Sequence, residues 1–179
     1  MLQLIPLIVS VSHTLSFRQP VLAVSGSKNT GKTWLLEHLV SILGGAGVRA
    51  AVIKHGGHEF EADVPGTDSH RMKKAGAFGT VVYSGTRFAL VKDQAGLEAR
   101  DLFGYFPEAD ILLLEGQKNS AYPKIEVLRQ EISCSPVCSP ETVLAYVADC
   151  QVSQQGSREP RQVFAFDQLD EVAELVIHH

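Results

Sequence analysis

The stretch Gly26-Ser27-Lys28-Asn29-Thr30-Gly31-Lys32-Thr33 decides the fold. It reads G-x-x-x-x-G-K-[ST], follows the apolar run Val21-Leu22-Ala23-Val24, and precedes an amphipathic stretch from Trp34 to Leu43. A strand that runs through a glycine-rich turn into a helix is the setting of a phosphate-binding loop. Its glycines let successive backbone N–H groups face a polyphosphate, Lys32 brings a point charge to the outer phosphates, and the Thr33 hydroxyl is placed to ligate Mg²⁺. Residues Gly26, Ser27, Lys28, Asn29, Thr30, Gly31, Lys32 and Thr33 are therefore the expected nucleotide-binding residues.

Outward from this loop the chain alternates strands and helices, which predicts an α/β fold with a mostly parallel sheet and flanking helices. Val21–Ser25 reads as a strand and Lys32–Leu43 as a helix stopped by Gly44-Gly45. Arg49–Lys54 is a second strand, and about Thr67 to Ala75 a short helix capped at Thr67 or Asp68. Thr80–Tyr83 and Arg87–Val91 form a β-hairpin insertion around Ser84-Gly85-Thr86. Leu97–Tyr105 is moderately helical. Asp110–Leu114, Ile125–Leu128, Val143–Val147 and a weak Val163–Phe166 complete the strands, and Leu169–Ile177 is a final amphipathic helix. Residues 20–179 form one nucleotide-binding domain, and residues 1–19 an N-terminal extension or edge strand.

Composition narrows the partners. With 16 basic and 20 acidic residues the formal charge is −4, and no run of like charges suggests a nucleic-acid tail. The apolar Leu2 to Val11 is too short to span a bilayer and has no basic residue ahead of it, so neither nucleic acid nor membrane is expected as a partner. Cys134, Cys138 and Cys150 lack paired C-x-x-C spacing, and are read as reduced, mostly buried residues outside any disulfide or thiolate metal site. A cytoplasmic location is expected from the nucleotide site and the reduced cysteines together.

Glu115 ends the apolar run Ile111-Leu112-Leu113-Leu114, as in a Walker-B strand with Glu in place of Asp. At the sheet's carboxyl edge it would hold Mg²⁺ through water or polarise an attacking water; the bland alternative is a solvated strand-end carboxylate. Lys54 and His55 end the second strand on the same edge, where they would meet phosphates or a second anion. His55 and His58 as a metal pair is the sharper alternative. Asp63 and Asp68, in Asp63-Val64-Pro65-Gly66-Thr67-Asp68-Ser69, stand where switch segments lie; they read equally as catalytic or Mg²⁺-shell carboxylates and as ordinary turn and cap residues. Lys118 and Lys124 are either solvent-facing or turned toward an anion. No Asn-Lys-x-Asp signature selects guanine, and composition leaves the base open.

Taken together, the phosphate loop, Lys54-His55, Asp63-x-Pro65-Gly66-x-Asp68-Ser69, Arg71, Ala75-Gly76-Ala77, Glu115-Gly116 and Pro123-Lys124-Ile125-Glu126-Val127-x-Arg129 resemble the molybdopterin-guanine dinucleotide biosynthesis protein B (MobB) family. The resemblance covers about residues 20 to 150. It implies a phosphate-loop domain that forms a homodimer, binds GTP and Mg²⁺ through Thr33 and Glu115, and hydrolyses GTP slowly. Its implied partners are a molybdopterin guanylyltransferase and the molybdopterin cofactor. A small-molecule kinase with Glu115 or Asp63 as base, and a GTP-dependent metallochaperone, remain the competing classes. The chain departs from the family pattern after Lys54-His55, at Trp34 and at Gln117.

Overall fold

The computed structural model describes residues 19–56, 60–154 and 159–179. The expectations for Leu2 to Val11 and for His58 lie outside these residues. Strand β1, Val21–Ser25, leads into helix α1, Lys32–Gly45. Strand β2, Ala50–Lys54, helix α2, Asp68–Lys74, and the hairpin strands β3, Gly79–Tyr83, and β4, Phe88–Lys92, follow. After a 3-10 helix at Ala99–Tyr105 come β5, Ile111–Glu115, β6, Lys124–Leu128, β7, Val143–Ala148, β8, Gln162–Phe164, and helix α3, Leu169–His178.

Six strands form one sheet in the order β2-β5-β1-β6-β7-β8, and every pairing in it is parallel. Parallel strands carry helices or loops on both faces, which is why β1, β5 and β7 are nearly continuous apolar runs. Alternation along each strand then divides the core. Leu22, Val24, Ile111, Leu113, Ile125 and Val127 pack under Leu35, Leu36, Leu39 and Leu43 of α1 and Val172, Ala173 and Val176 of α3. Ala23, Leu112 and Leu114 face Ile53 and Phe103 on the other side.

Helix α1 continues two residues beyond the expected end at Leu43, through Gly44-Gly45. The position that needs a glycine is Gly47, at φ +81°, after which the Val48 N–H returns to the Leu43 carbonyl at 2.9 Å and closes the helix. Thr67 is the N-cap of α2, but its hydroxyl turns back to the Val64 carbonyl at 2.8 Å instead of capping the helix. The expected helix at Leu97–Tyr105 is a 3-10 turn with a reciprocal capping box between Glu98 and Asp101.

The reading of the cysteines is corrected by the fold. Cys134 and Cys150 form a disulfide, with Cα atoms 6.1 Å apart. The loop after β6 folds back so that Cys134 meets Cys150, two residues after β7, a juxtaposition created by strand pairing and invisible in the spacing. Only Cys138 fits the expectation of a free, buried thiol.

Candidate functional site

The phosphate loop is shaped by three residues with positive φ: Gly26 at +134°, Asn29 at +64° and Gly31 at +95°. At Gly26 a Cβ would land on the Val127 carbonyl oxygen of the neighbouring strand, so glycine is required there by packing as well as by φ. Thr30 is fully buried and its hydroxyl donates to the Ser27 carbonyl at 3.1 Å, bracing the loop from within. Lys32 reaches back across the loop and donates to the same Ser27 carbonyl at 2.5 Å. Burial holds the Lys32 ammonium below the ordinary lysine value, opposed by Glu115 and reinforced by Lys54 and Lys118.

The sheet order sets β5 directly between β1 and β2, and so brings three expected site residues together. The Thr33 hydroxyl donates to Glu115 Oε1 at 3.0 Å, and Lys54 Nζ pairs with Glu115 Oε2 at 3.1 Å. The turn that presents Glu115 is held in place: the Gly116 N–H bonds to the Val24 carbonyl at 2.9 Å, and the Ser25 hydroxyl donates to the Gly116 carbonyl. Gly116 and Gln117 both take positive φ, at +98° and +60°, which swings the following residues over the loop.

That swing encloses a cavity of about 530 Å³ lined by Gly26, Ser27, Lys28, His55, Gly116, Gln117, Lys118, Asn119 and Ser120. His55 and Lys118 are thus brought to the phosphate loop, as one of the two readings of Lys118 required. Gln117, Asn119 and Ser120 were not anticipated; the tight Glu115-Gly116 turn was the available signal. Lys124 meets neither expectation. It is 0% exposed and donates to the Ser120 carbonyl at 2.7 Å and to Thr142 Oγ1 at 3.1 Å, so it ties the cavity-lining turn to the start of β7.

Glu126 of β6 is fully buried as well. Glu126 Oε1 accepts the N–H groups of Val137 at 2.6 Å and Cys138 at 3.3 Å, while Oε2 has no hydrogen-bond partner. Burial, with Glu126 beside it, pushes the Cys138 thiol up to about 12.

Asp63 and Asp68 belong to a different neighbourhood. Asp63 Oδ1 accepts from the Ser69 hydroxyl at 3.0 Å, and with Glu61, His70, Lys73 and Lys74 it lines a separate cavity of about 220 Å³. Asp68 pairs with Arg71 at 3.6 Å on the exposed face of α2. Asp63 lies in the turn before α2 and Asp68 is the first residue of α2, after the Thr67 cap, and neither lines the cavity at the phosphate loop.

The donor set fits a nucleotide with Mg²⁺. A hard cation that keeps several waters needs only a hydroxyl and a carboxylate beside phosphate oxygens, which Thr33 and Glu115 supply. No cluster of three His, Cys, Asp or Glu able to hold a metal occurs among the described residues. Likewise, no helix among them is long and apolar enough to cross a membrane.

Comparison with known proteins identifies the family. Residues 21–149 match the family model described as molybdopterin guanine dinucleotide synthesis protein B, MobB. The chain is similar to the molybdopterin-guanine dinucleotide biosynthesis adapter protein of Escherichia coli (strain K12), at 37% identity over 115 residues, 62% of this chain and 66% of that protein. It is also similar to the protein of that name from Haemophilus influenzae, at 36% identity over 117 residues, 64% of this chain and 66% of the relative. The match thus spans just under two thirds of these relatives' length. Among solved structures, Bacillus subtilis MobB superposes with a TM-score of 0.69 at 26% identity, covering 89% of this chain and 96% of that one. The MobB homologue of Bacillus stearothermophilus superposes with a TM-score of 0.62 at 21% identity, covering 88% and 95%. With the phosphate loop, the Glu115 turn, β6 and Arg129 after it all inside the matched span, the chain belongs to the MobB family.

Proposed function

We propose that this protein is a GTP-binding adaptor of molybdenum cofactor biosynthesis, which assists a guanylyltransferase in joining GMP to molybdopterin and itself hydrolyses GTP slowly. The observation that carries the reading is the joining of Thr33, Glu115 and Lys54 at the mouth of the phosphate loop in a chain of this family. Backbone N–H groups from Gly26 to Thr33 would hold the polyphosphate, with Lys32 released from Ser27 to reach it. Thr33 and Glu115 would hold Mg²⁺, and Lys54 would balance the carboxylate. Bound Mg²⁺ supplies charge neutralisation between the outer phosphates. The lining of the adjoining cavity contains Lys28, Lys118 and His55 but no arginine, in keeping with slow intrinsic turnover.

Homodimer formation is part of the same reading. The hairpin of β3 and β4 stands apart from the main sheet, and an isolated two-stranded hairpin is marginal in water. It exposes Val81, Val82, Phe88 and, at 81%, Tyr83, with Phe78 beside it at 80%. A second copy would cover these side chains. A cytoplasmic location fits a role beside other biosynthetic enzymes.

The cavity next to the phosphate loop is large enough for a small acceptor, and this favours phosphoryl transfer as the second reading. One assay separates the two. In a reconstituted dinucleotide-forming reaction at saturating GTP and Mg²⁺, the protein should stimulate the guanylyltransferase while turning over alone below about 1 s⁻¹. No stimulation, together with rapid ATP-dependent phosphorylation of a small metabolite, would establish the kinase instead.

A further inference from the structure

Sheet order assigns a direction to the bound polyphosphate. Lys54 ends β2 and Glu115 ends β5, both to one side of β1, and with Thr33 they form the set that serves Mg²⁺ and the outer phosphates. A nucleoside at the opposite end of the polyphosphate would then extend toward the other side, over the carboxyl ends of β6, β7 and β8.

At those ends the structure holds Arg129 just after β6, Asp149 just after β7 and Phe166 two residues after β8, beside Trp34 in the first turn of α1. The Arg129 guanidinium lies over the Phe166 ring, 3.7 Å from its centroid, and the Trp34 ring is centred 5.6 Å from that of Phe166. The group adjoins the phosphate loop. A Cβ built on Gly31 would be 3.6 Å from Arg129 Nη2 and 3.7 Å from Phe166 Cε1. Asp149 Oδ1 accepts the Gln130 N–H at 2.7 Å, and Oδ2 stands 3.4 Å from Arg129 Nη1. The two side chains are 38% and 37% exposed, so the carboxylate retains outward acceptor capacity next to a flat cationic and aromatic surface.

Flat aromatic and guanidinium faces are what nucleobases stack on, and a positioned carboxylate reads adjacent N–H donors on a base edge. We propose that Arg129, Phe166 and Trp34 form the platform for the nucleobase, and that Asp149 selects guanine by accepting from its ring N1–H and exocyclic amine. Adenine presents an acceptor where guanine has N1–H, which would oppose the carboxylate. The proposal rests on the nucleotide reading above and assigns the base subsite of that same site.

Trp34 is the only tryptophan of the chain, so its fluorescence reports directly on the platform. GTP, ATP and inorganic tripolyphosphate, each with Mg²⁺, are titrated by calorimetry and by Trp34 emission into wild type, Asp149→Asn and Trp34→Leu. Tripolyphosphate should bind without altering emission; GTP should alter it and bind at least about tenfold tighter than ATP. Asp149→Asn should bring GTP to the affinity of ATP, and Trp34→Leu should weaken GTP by about tenfold. Unchanged tripolyphosphate affinity in both variants shows that the loop is intact. Equal affinities for GTP and tripolyphosphate in wild type, or an unchanged ratio of GTP to ATP in Asp149→Asn, would overturn the base subsite while leaving phosphate binding standing. Failure of all three compounds to bind wild type would overturn the nucleotide reading, and this proposal with it.

Discussion

The hydroxyl of Thr33 donates to Oε1 of Glu115 across 82 residues of chain, at 3.0 Å, and so couples the first turn of α1 to the end of β5. The partner oxygen is engaged by Lys54. The carboxylate is thereby held in place, and on the proposed reading it would serve a Mg²⁺ ion or an attacking water. Glu115→Gln keeps the shape and the hydrogen bond from Thr33 but removes the charge. Nucleotide affinity should remain within a few-fold, while single-turnover hydrolysis should fall by about 100-fold, the scale of a lost acid–base group. Hydrolysis equal to wild type would return Glu115 to a structural role.

Lys32→Ala should remove most nucleotide affinity without unfolding the chain. The Lys32 ammonium is satisfied by the Ser27 carbonyl of its own loop, and no core contact depends on it. Losing a charge-assisted contact to phosphate should weaken binding by roughly 10- to 150-fold, equivalent to about 1.5–3 kcal/mol. Calorimetry with GTP and Mg²⁺, alongside an unchanged thermal midpoint, checks both halves of the prediction.

The disulfide between Cys134 and Cys150 closes a segment of sequence separation 16 and clamps the loop whose N–H groups donate to Glu126 Oε1. On loop length alone it should contribute about 3 kcal/mol to stability. Urea unfolding with and without dithiothreitol should show a loss of that order, and Cys134→Ser should show the same loss with no further response to reductant. Cys138, buried and with its thiol pushed up to about 12, should resist alkylation until the chain unfolds.

Asp110 and Arg49 tie the start of β5 to the start of β2. The side chains meet at 2.9 Å, and the Arg49 N–H also donates to Asp110 Oδ2 at 2.8 Å. The Arg49 side-chain hydrogen bond, followed by its backbone N–H, holds the Asp110 carboxyl at about 2, down from the usual 3.8. Because the folded value is depressed, the stabilisation is present above about pH 4 and is lost as pH falls through 2. The difference in unfolding midpoint between wild type and Asp110→Asn should therefore be constant near neutrality and shrink between pH 4 and 2. A difference that grows on acidification would contradict the pairing.

The fold and the phosphate loop were legible in the sequence because both depend on local pattern. A strand buried on both faces is an apolar run, and β1 and β5 stand within one residue of where those runs place them. The glycine-rich loop declares itself because its backbone conformation restricts residue type at Gly26 and Gly31. Local pattern is silent about which strands become neighbours. That ordering alone joined Glu115 to Thr33 and Lys54, buried Lys124 beneath Ser120, brought Cys134 to Cys150, and left Asp68 at the start of α2 with Asp63 in the turn before it. Propensity and periodicity act over a turn of helix or a few residues of strand, whereas hydrogen bonds and ion pairs act over about 3 Å of space, whatever the length of chain between the partners.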